Sequence, residues 1–128
     1  MISLLLILGG CGQKTQKAKE ALASEVIADV PSWVKAEKLP PAALPGAKLF
    51  ATAGCTSCHT YLAAGSANLG APSLTAEGTR RRGLEWQVRH LECPACVASG
   101  SPMPKFASLG TARLHQLAIF LESSKGKR

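Results

Sequence analysis

Apolar residues recur at helical spacing in three stretches of this chain. Pro45 suits the first turn of a helix, Leu49 and Phe50 are apolar positions in the segment that follows, and Gly54 is a typical helix stop. The same spacing recurs twice further along, in residues 83–92 and 111–124. No stretch alternates apolar and polar residues as a half-buried strand does. The pattern predicts an all-α fold of three or four helices.

The segments between these helices are long. Residues 60–83 are rich in Gly, Pro, Ser and Asn, a composition typical of loops. Long loops in a small domain usually have a function of their own, such as enclosing a ligand. Aromatic residues make up only 5% of the chain, so a buried planar group would add apolar bulk that the core lacks. We therefore expect the helices and loops to enclose a bound group.

The N-terminus carries the pattern of an export signal. Residues 2–8 form an apolar run broken only by Ser3, far shorter than the ~20 residues that span a bilayer as a helix. The run predicts a signal peptide over residues 1–10. The stretch LGGC that ends at Cys11 resembles the lipobox of bacterial lipoproteins, which implies cleavage before Cys11 and lipidation of its thiol. The alternative is a short buried strand with a structural Cys11.

Residues 11–44 are predicted to be a lipidated N-terminus and linker, followed by one domain over residues 45–128. The linker is polar and Ala-rich, and prolines interrupt its second half. Several acyl chains together give stable anchoring, and a flexible segment of this length holds a small domain away from the bilayer. We expect an exported protein anchored to a bacterial membrane, with the domain facing the periplasm or the cell exterior.

The chain is strongly basic. Fifteen Lys and Arg residues against eight Asp and Glu give a formal net charge of +7, and every charged residue follows Cys11. A basic exported protein suits acidic protein partners or anionic lipid headgroups, and its compartment excludes nucleic acid. The run Arg80–Arg82 is the first candidate for a face that meets an acidic partner, although such runs are more often plain solvated clusters.

The most informative motif is CTSCH at residues 55–59. C-x-x-C spacing occurs in redox dithiols, in zinc sites and, when a histidine follows at once, in covalent haem c attachment. The thiols of Cys55 and Cys58 can reach the two vinyl groups of one porphyrin, and His59 is then carried beneath the iron as an axial ligand. A redox dithiol of the thioredoxin kind needs a βαβ setting, which the helical pattern does not provide.

A haem iron bound by His59 has one further axial position. Met103 is the only methionine apart from the first residue, and it lies between two prolines that stiffen its loop. A thioether is a suitable axial ligand, although a single methionine is as often a core residue. His90 and His115 are the alternatives for this position.

Together these residues resemble the class I monohaem cytochromes c of bacteria. The resemblance covers residues 45–124 and rests on GAKLFATAGCTSCHT, GAPSLT, WQVRHL, SPMPKFASL and the closing LHQLAIFL. It implies a small all-α fold wrapped around one covalently attached haem. It also implies that Cys55 and Cys58 bind the haem vinyl groups, that His59 is the proximal iron ligand and that Met103 is the distal one.

The resemblance assigns roles to further residues. Pro72 matches a proline whose carbonyl oxygen accepts the hydrogen bond of the proximal imidazole. Arg80 and Trp86 match positions that contact the haem propionates, while Gly46 and Phe50 match positions that pack against the last helix. Class II cytochromes c place the motif near the end of a four-helix bundle, whereas a long segment follows it in this chain.

Cys93 and Cys96 form a second C-x-x-C pair, which departs from the family pattern. Val97 follows Cys96, so this pair has no proximal ligand for a second haem. In an exported protein we favour a local disulfide that braces the Met103 loop, while free thiols, a metal site and a redox role stay open. A zinc site of all four cysteines is the structural alternative, although it leaves the other motif residues without roles.

These features predict a carrier of single electrons and not an enzyme, since nothing in the sequence resembles a substrate pocket or an acid–base pair. The expected partners are redox proteins with acidic docking surfaces, such as an oxidase, a reductase or another cytochrome of a respiratory chain. The functional alternative is a haem-based sensor or gas-binding protein, in which Met103 dissociates easily or does not bind the iron.

Overall fold

The structure, a computed structural model, describes residues 37–62 and 64–126. Within these residues the α-helices are α1 (Leu44–Thr52), α2 (Leu84–Glu92), α3 (Pro94–Val97) and α4 (Thr111–Ser123). Short 3₁₀ helices cover Pro41–Ala43, Cys55–Ser57, Glu77–Arg80 and Ala107–Leu109. The described part of the chain is therefore mostly helical, as the hydrophobic pattern predicts.

The three helices predicted from apolar spacing are confirmed as α1, α2 and α4. Their ends follow from local chemistry. Pro45 lies in the first turn of α1, where its missing N–H costs no helical hydrogen bond. Beyond the end of α1, Gly54 has φ 84°, a left-handed conformation that glycine adopts without steric cost. The chain therefore turns sharply between α1 and the cysteine motif.

One feature that the hydrophobic pattern does not predict is a short antiparallel strand pair directly after the motif. Strand β1 (Thr60–Tyr61) pairs with β2 (Ala64–Gly65), with Thr60 opposite Gly65 and Tyr61 opposite Ala64. Two residues per strand are too few to show an alternating pattern, which explains why the sequence does not reveal them. The pair anchors the loop that leaves the motif.

The core forms where α1 and α2 pack against α4. Gly46 lets α1 approach α4 closely, because a Cβ atom at this position would overlap the carbonyl oxygen of Gln116. Next to this crossing, the ring centroids of Phe50 and Phe120 lie 5.2 Å apart, and Phe120 is fully buried. The apolar stripe of α4 faces inwards with buried Leu114, Leu117, Ala118 and Leu121.

A buried polar chain joins β1 to the end of α4. The Tyr61 hydroxyl donates to Ser124 Oγ at 2.9 Å, and Ser124 Oγ donates to the Phe120 carbonyl oxygen at 2.8 Å. Burial is the main reason that the pKa of Tyr61 rises to about 12, although the Ser124 hydrogen bond opposes the rise. The phenol therefore stays neutral and acts as a donor at physiological pH.

The packed region begins before residue 45, where the sequence places the domain boundary. Ala43 is fully buried, and its 3₁₀ helix packs against α4. The predicted signal peptide, the lipidation site at Cys11 and most of the predicted linker lie outside the described residues. No helix of the described residues is both long and apolar enough to cross a membrane.

Candidate functional site

One cavity of about 480 Å³ lies among the cysteine motif, α2 and the Met103 loop. Its volume falls in the range of cofactor and ligand sites, roughly 300–1,000 Å³. Apolar side chains from α1, α2 and α4 form much of its wall, including Phe50, Leu91 and Leu117. Every residue that the resemblance assigns to the haem lines this cavity: Cys55, Cys58, His59, Pro72, Arg80, Trp86 and Met103.

Two hydrogen bonds hold His59 in place, one through its backbone and one through its ring. Its backbone N–H bonds to the Cys55 carbonyl oxygen at 3.0 Å, and its ring Nδ1 lies 2.8 Å from the Pro72 carbonyl oxygen. A carbonyl can only accept, so Nδ1 carries the proton and Nε2 keeps its lone pair. This contact is the one that the resemblance implies for Pro72, and it leaves Nε2 available as a metal ligand.

Cys55 and Cys58 are both free thiols and partly buried. Burial raises the pKa of the Cys55 thiol to about 11, against a smaller opposing effect of a backbone hydrogen bond. Catalytic dithiols depend on a thiolate with a lowered pKa. The environment of Cys55 therefore does not match that of a redox-active dithiol.

The Met103 loop is held at both of its ends. On one side the structure joins Cys93 and Cys96 in a disulfide, with 5.2 Å between their Cα atoms. On the other side the Phe106 N–H donates to the Leu91 carbonyl oxygen at 2.9 Å, which ties the end of the loop to α2. Met103 itself is half-buried and lines the cavity. The loop therefore places Met103 at the same cavity as His59.

His90 and His115, the alternatives for the sixth position, lie in different surroundings. His115 is exposed on α4 and does not line the cavity. His90 does line it, stacked on Trp86 with 4.8 Å between ring centroids. Its Nδ1 is buried without a hydrogen-bond partner in the described residues. Nδ1 of His90 therefore lacks a carbonyl partner of the kind that orients the His59 ring.

The pKa of His90 is lowered, first by burial and then by the positive charge of Arg82. Glu77 opposes this shift, and His59 adds to it slightly. His90 is therefore a neutral ring at physiological pH.

A buried polar cluster in the cavity wall is the part of the site that sequence reasoning missed. Glu77 and Gln87 are 4% and 2% exposed, and Gln87 Nε2 donates to Glu77 Oε1 at 3.2 Å. Gln87 Nε2 also donates to Glu122 Oε1 at 2.9 Å, which links α2 to α4. From the sequence alone, Glu77 and Gln87 are expected to be ordinary surface polar residues, and no local signal indicates their burial.

The cavity suits a group that brings most of its own metal ligands. Among the described residues no three or more His, Cys, Asp or Glu side chains are grouped so as to hold a metal ion themselves. A haem iron needs only one or two axial ligands from the protein, such as a histidine and a methionine. Paired thiols, a histidine with a free Nε2 and an apolar wall therefore fit a covalently attached haem.

No protein-family model matches this chain, and no curated protein or solved structure matches it at a significant level.

Proposed function

We propose that this chain is a monohaem c-type cytochrome that carries single electrons between protein partners. One observation carries the proposal: every residue that the resemblance assigns to the haem lines the same largely apolar cavity. In that cavity the Pro72 carbonyl oxygen orients the His59 ring. Pro72, Arg80, Trp86 and Met103 lie outside the CTSCH motif in the sequence, so only the fold brings them to the same cavity as Cys55, Cys58 and His59.

The residues of the cavity have distinct parts in this function. Cys55 and Cys58 would hold the haem through thioether bonds, and His59 would bind the iron through Nε2, because the Pro72 carbonyl oxygen keeps the proton on Nδ1. Met103 would supply the second iron ligand from the loop that the Cys93–Cys96 disulfide braces. When bound, haem supplies a reversible one-electron change between ferric and ferrous iron. The apolar wall excludes water and keeps the ligands in place, so little has to rearrange during transfer.

The chain carries charge that suits this role. Arg80, Arg81 and Arg82 form an exposed basic group at one side of the cavity. Opposite charge on a partner accelerates the encounter of two redox proteins and steers their orientation. We propose acidic partners such as an oxidase, a reductase or another cytochrome of a respiratory chain. Lipidation of Cys11 would keep the protein on a bacterial membrane, facing the periplasm or cell exterior.

Two other functions have weaker support. A haem-based sensor or gas-binding protein needs Met103 to leave the iron easily, and the half-buried position of Met103 is the one observation in its favour. A four-cysteine zinc module needs four thiolates, whereas Cys93 and Cys96 are bonded to each other.

The visible spectrum of the full chain, expressed with a haem c maturation system, tests the proposal. We expect a covalently bound low-spin haem with a sulfur-to-iron band in the ferric form and no reaction with carbon monoxide in the ferrous form. Met103→Ala should abolish that band and admit carbon monoxide, while His115→Ala, a change at an exposed histidine outside the cavity, should alter neither.

Other outcomes identify the alternatives. A wild-type haem that takes up carbon monoxide at once would move the function to gas binding or sensing. A colourless protein that carries zinc on its cysteines would overturn the haem proposal altogether.

A further inference from the structure

Glu77 is a buried carboxylate that the proposed function leaves without a role. It lies in the cavity wall with only 4% of its surface exposed. Removing an ionised carboxylate from water costs several kcal/mol unless opposite charges and hydrogen bonds replace the lost hydration. The surroundings of Glu77 therefore need to be explained.

Two arginines lie next to this carboxylate, one at each oxygen. Arg80 Nε lies 3.3 Å from Glu77 Oε2, and Arg82 Nε lies 3.5 Å from Glu77 Oε1. Oε1 also accepts from Gln87, whereas Oε2 has no aligned hydrogen bond in the described residues. One negative charge thus faces two positive charges, and Glu77 alone does not neutralise the arginine pair.

Both arginines approach Glu77 through the same part of the side chain. In both ion pairs the contact atom is Nε, which leaves the two terminal nitrogens of each guanidinium for another acceptor. Arg82 is further fixed by its position over Trp86, 4.0 Å from the guanidinium carbon to the ring centroid. Arg80 and Arg82 both line the cavity.

We propose that Glu77 is a positioning residue that holds Arg80 and Arg82 together as a clamp for the carboxylate groups of the bound cofactor. The clamp has the chemistry that recognises carboxylates, since arginine nitrogens pair with them in a fixed planar geometry. Glu77 orders two long side chains that would otherwise be free at the cavity rim. This inference rests on the proposed function, because the carboxylates in question are those of haem.

The reduction potential of the haem-loaded full chain tests the clamp. A positive charge held near the haem favours the ferrous form, so Arg82→Gln should lower the midpoint potential. Glu77→Asp keeps the negative charge but withdraws it by one methylene, which releases the arginines without changing the net charge. We therefore expect Glu77→Asp to lower the potential as well, in the same direction as Arg82→Gln.

A double-mutant cycle separates positioning from independent effects. If Glu77 acts through the arginines, Arg82→Gln should shift the potential by less than half as much in the Glu77→Asp background as in the wild type. Arg81→Gln is the matched control, because Arg81 carries the same charge between the two arginines but has no ion pair with Glu77. Its shift should be smaller than that of Arg82→Gln and the same in both backgrounds.

The potential shifts and the mass of the chain distinguish failure of the clamp from failure of the proposed function. Additive shifts of Glu77→Asp and Arg82→Gln, or an Arg81→Gln shift as large as that of Arg82→Gln, would overturn the clamp while leaving the cytochrome intact. A wild-type chain whose mass shows no covalent haem would overturn the proposed function and the clamp with it. If Glu77→Asp does not fold with its haem, the cycle is measured with Glu77→Gln, for which the expected non-additivity is the same.

Discussion

The crossing of α1 and α4 at Gly46 gives a prediction in which two opposing effects can be compared. Replacing glycine by alanine inside a helix normally stabilises it by about 1 kcal/mol. At Gly46, however, the new Cβ would overlap the backbone carbonyl of Gln116 and lie 2.7 Å from Phe120 Cβ. The nearest obstacle is backbone, so it cannot move aside by a change of side-chain rotamer.

The expected magnitude follows from these two effects. Overpacking of a well-packed core costs typically about 1–3 kcal/mol, and an overlap with backbone belongs at the upper end. Subtracting the gain in helix propensity leaves a net destabilisation of about 2 kcal/mol for Gly46→Ala. In a domain of this size each kcal/mol lowers the melting temperature by roughly 4–8 °C, so we expect a fall of about 8–16 °C.

Thermal unfolding followed by circular dichroism measures this effect, with wild type and variant compared in the same haem state. Lys48→Ala is the control, because Lys48 is exposed on the same helix and its replacement should change stability little. If Gly46→Ala melts at or above the temperature of Lys48→Ala, the close approach of the two helices is not a constraint on stability and the reasoning fails.

Three further predictions concern single side chains. Tyr61→Phe removes the donor to Ser124 and should cost about 1 kcal/mol in urea unfolding, and no loss would show that this buried bond is replaced without cost. The pKa of His90 lies below its usual 6.5, so the unfolded chain takes up a proton first as the pH falls. The contribution of neutral His90 to stability is complete above pH 6.5 and is lost as the pH falls towards the pKa of the folded state. His90→Gln should flatten this part of the curve of stability against pH, whereas His115→Gln should not. In the haem-free chain, alkylation of Cys55 measured by mass spectrometry should be slow at neutral pH and rise as the pH approaches 11, and rapid alkylation at pH 7 would contradict the burial of this thiol.

The helices of this fold are the part that the sequence predicts best. The apolar residues of α1, α2 and α4 recur at a spacing that only a helix places on one face, and proline and glycine mark the ends of α1. The strand pair after the motif is different, because its two-residue strands depend on backbone pairing and not on a side-chain pattern. Packing of Ala43 against α4 is likewise a tertiary contact that no local signal announces.

The candidate site likewise contains residues that the sequence predicts and residues that only the structure reveals. Cys55, Cys58, His59 and Met103 are predicted from the sequence, because the proposed haem attachment and iron ligation would need residues of these types. Glu77 and Gln87 are not, since a glutamate in a turn and a glutamine on an amphipathic helix usually face water. Their burial depends on the approach of α2, α4 and the 3₁₀ helix Glu77–Arg80, which only the folded chain reveals.

The packing of α1 on α4 also sets an order of events during biosynthesis. These two helices lie at opposite ends of the described region, so their contact has a large sequence separation and forms only after α4 has been synthesised. Until then α1 has no partner for its apolar face, and the cavity that buries Cys55 lacks the wall that Leu117 and Leu121 supply. Any reaction at the Cys55 thiol is therefore easiest during the interval before α4 docks, and slow docking would lengthen that interval.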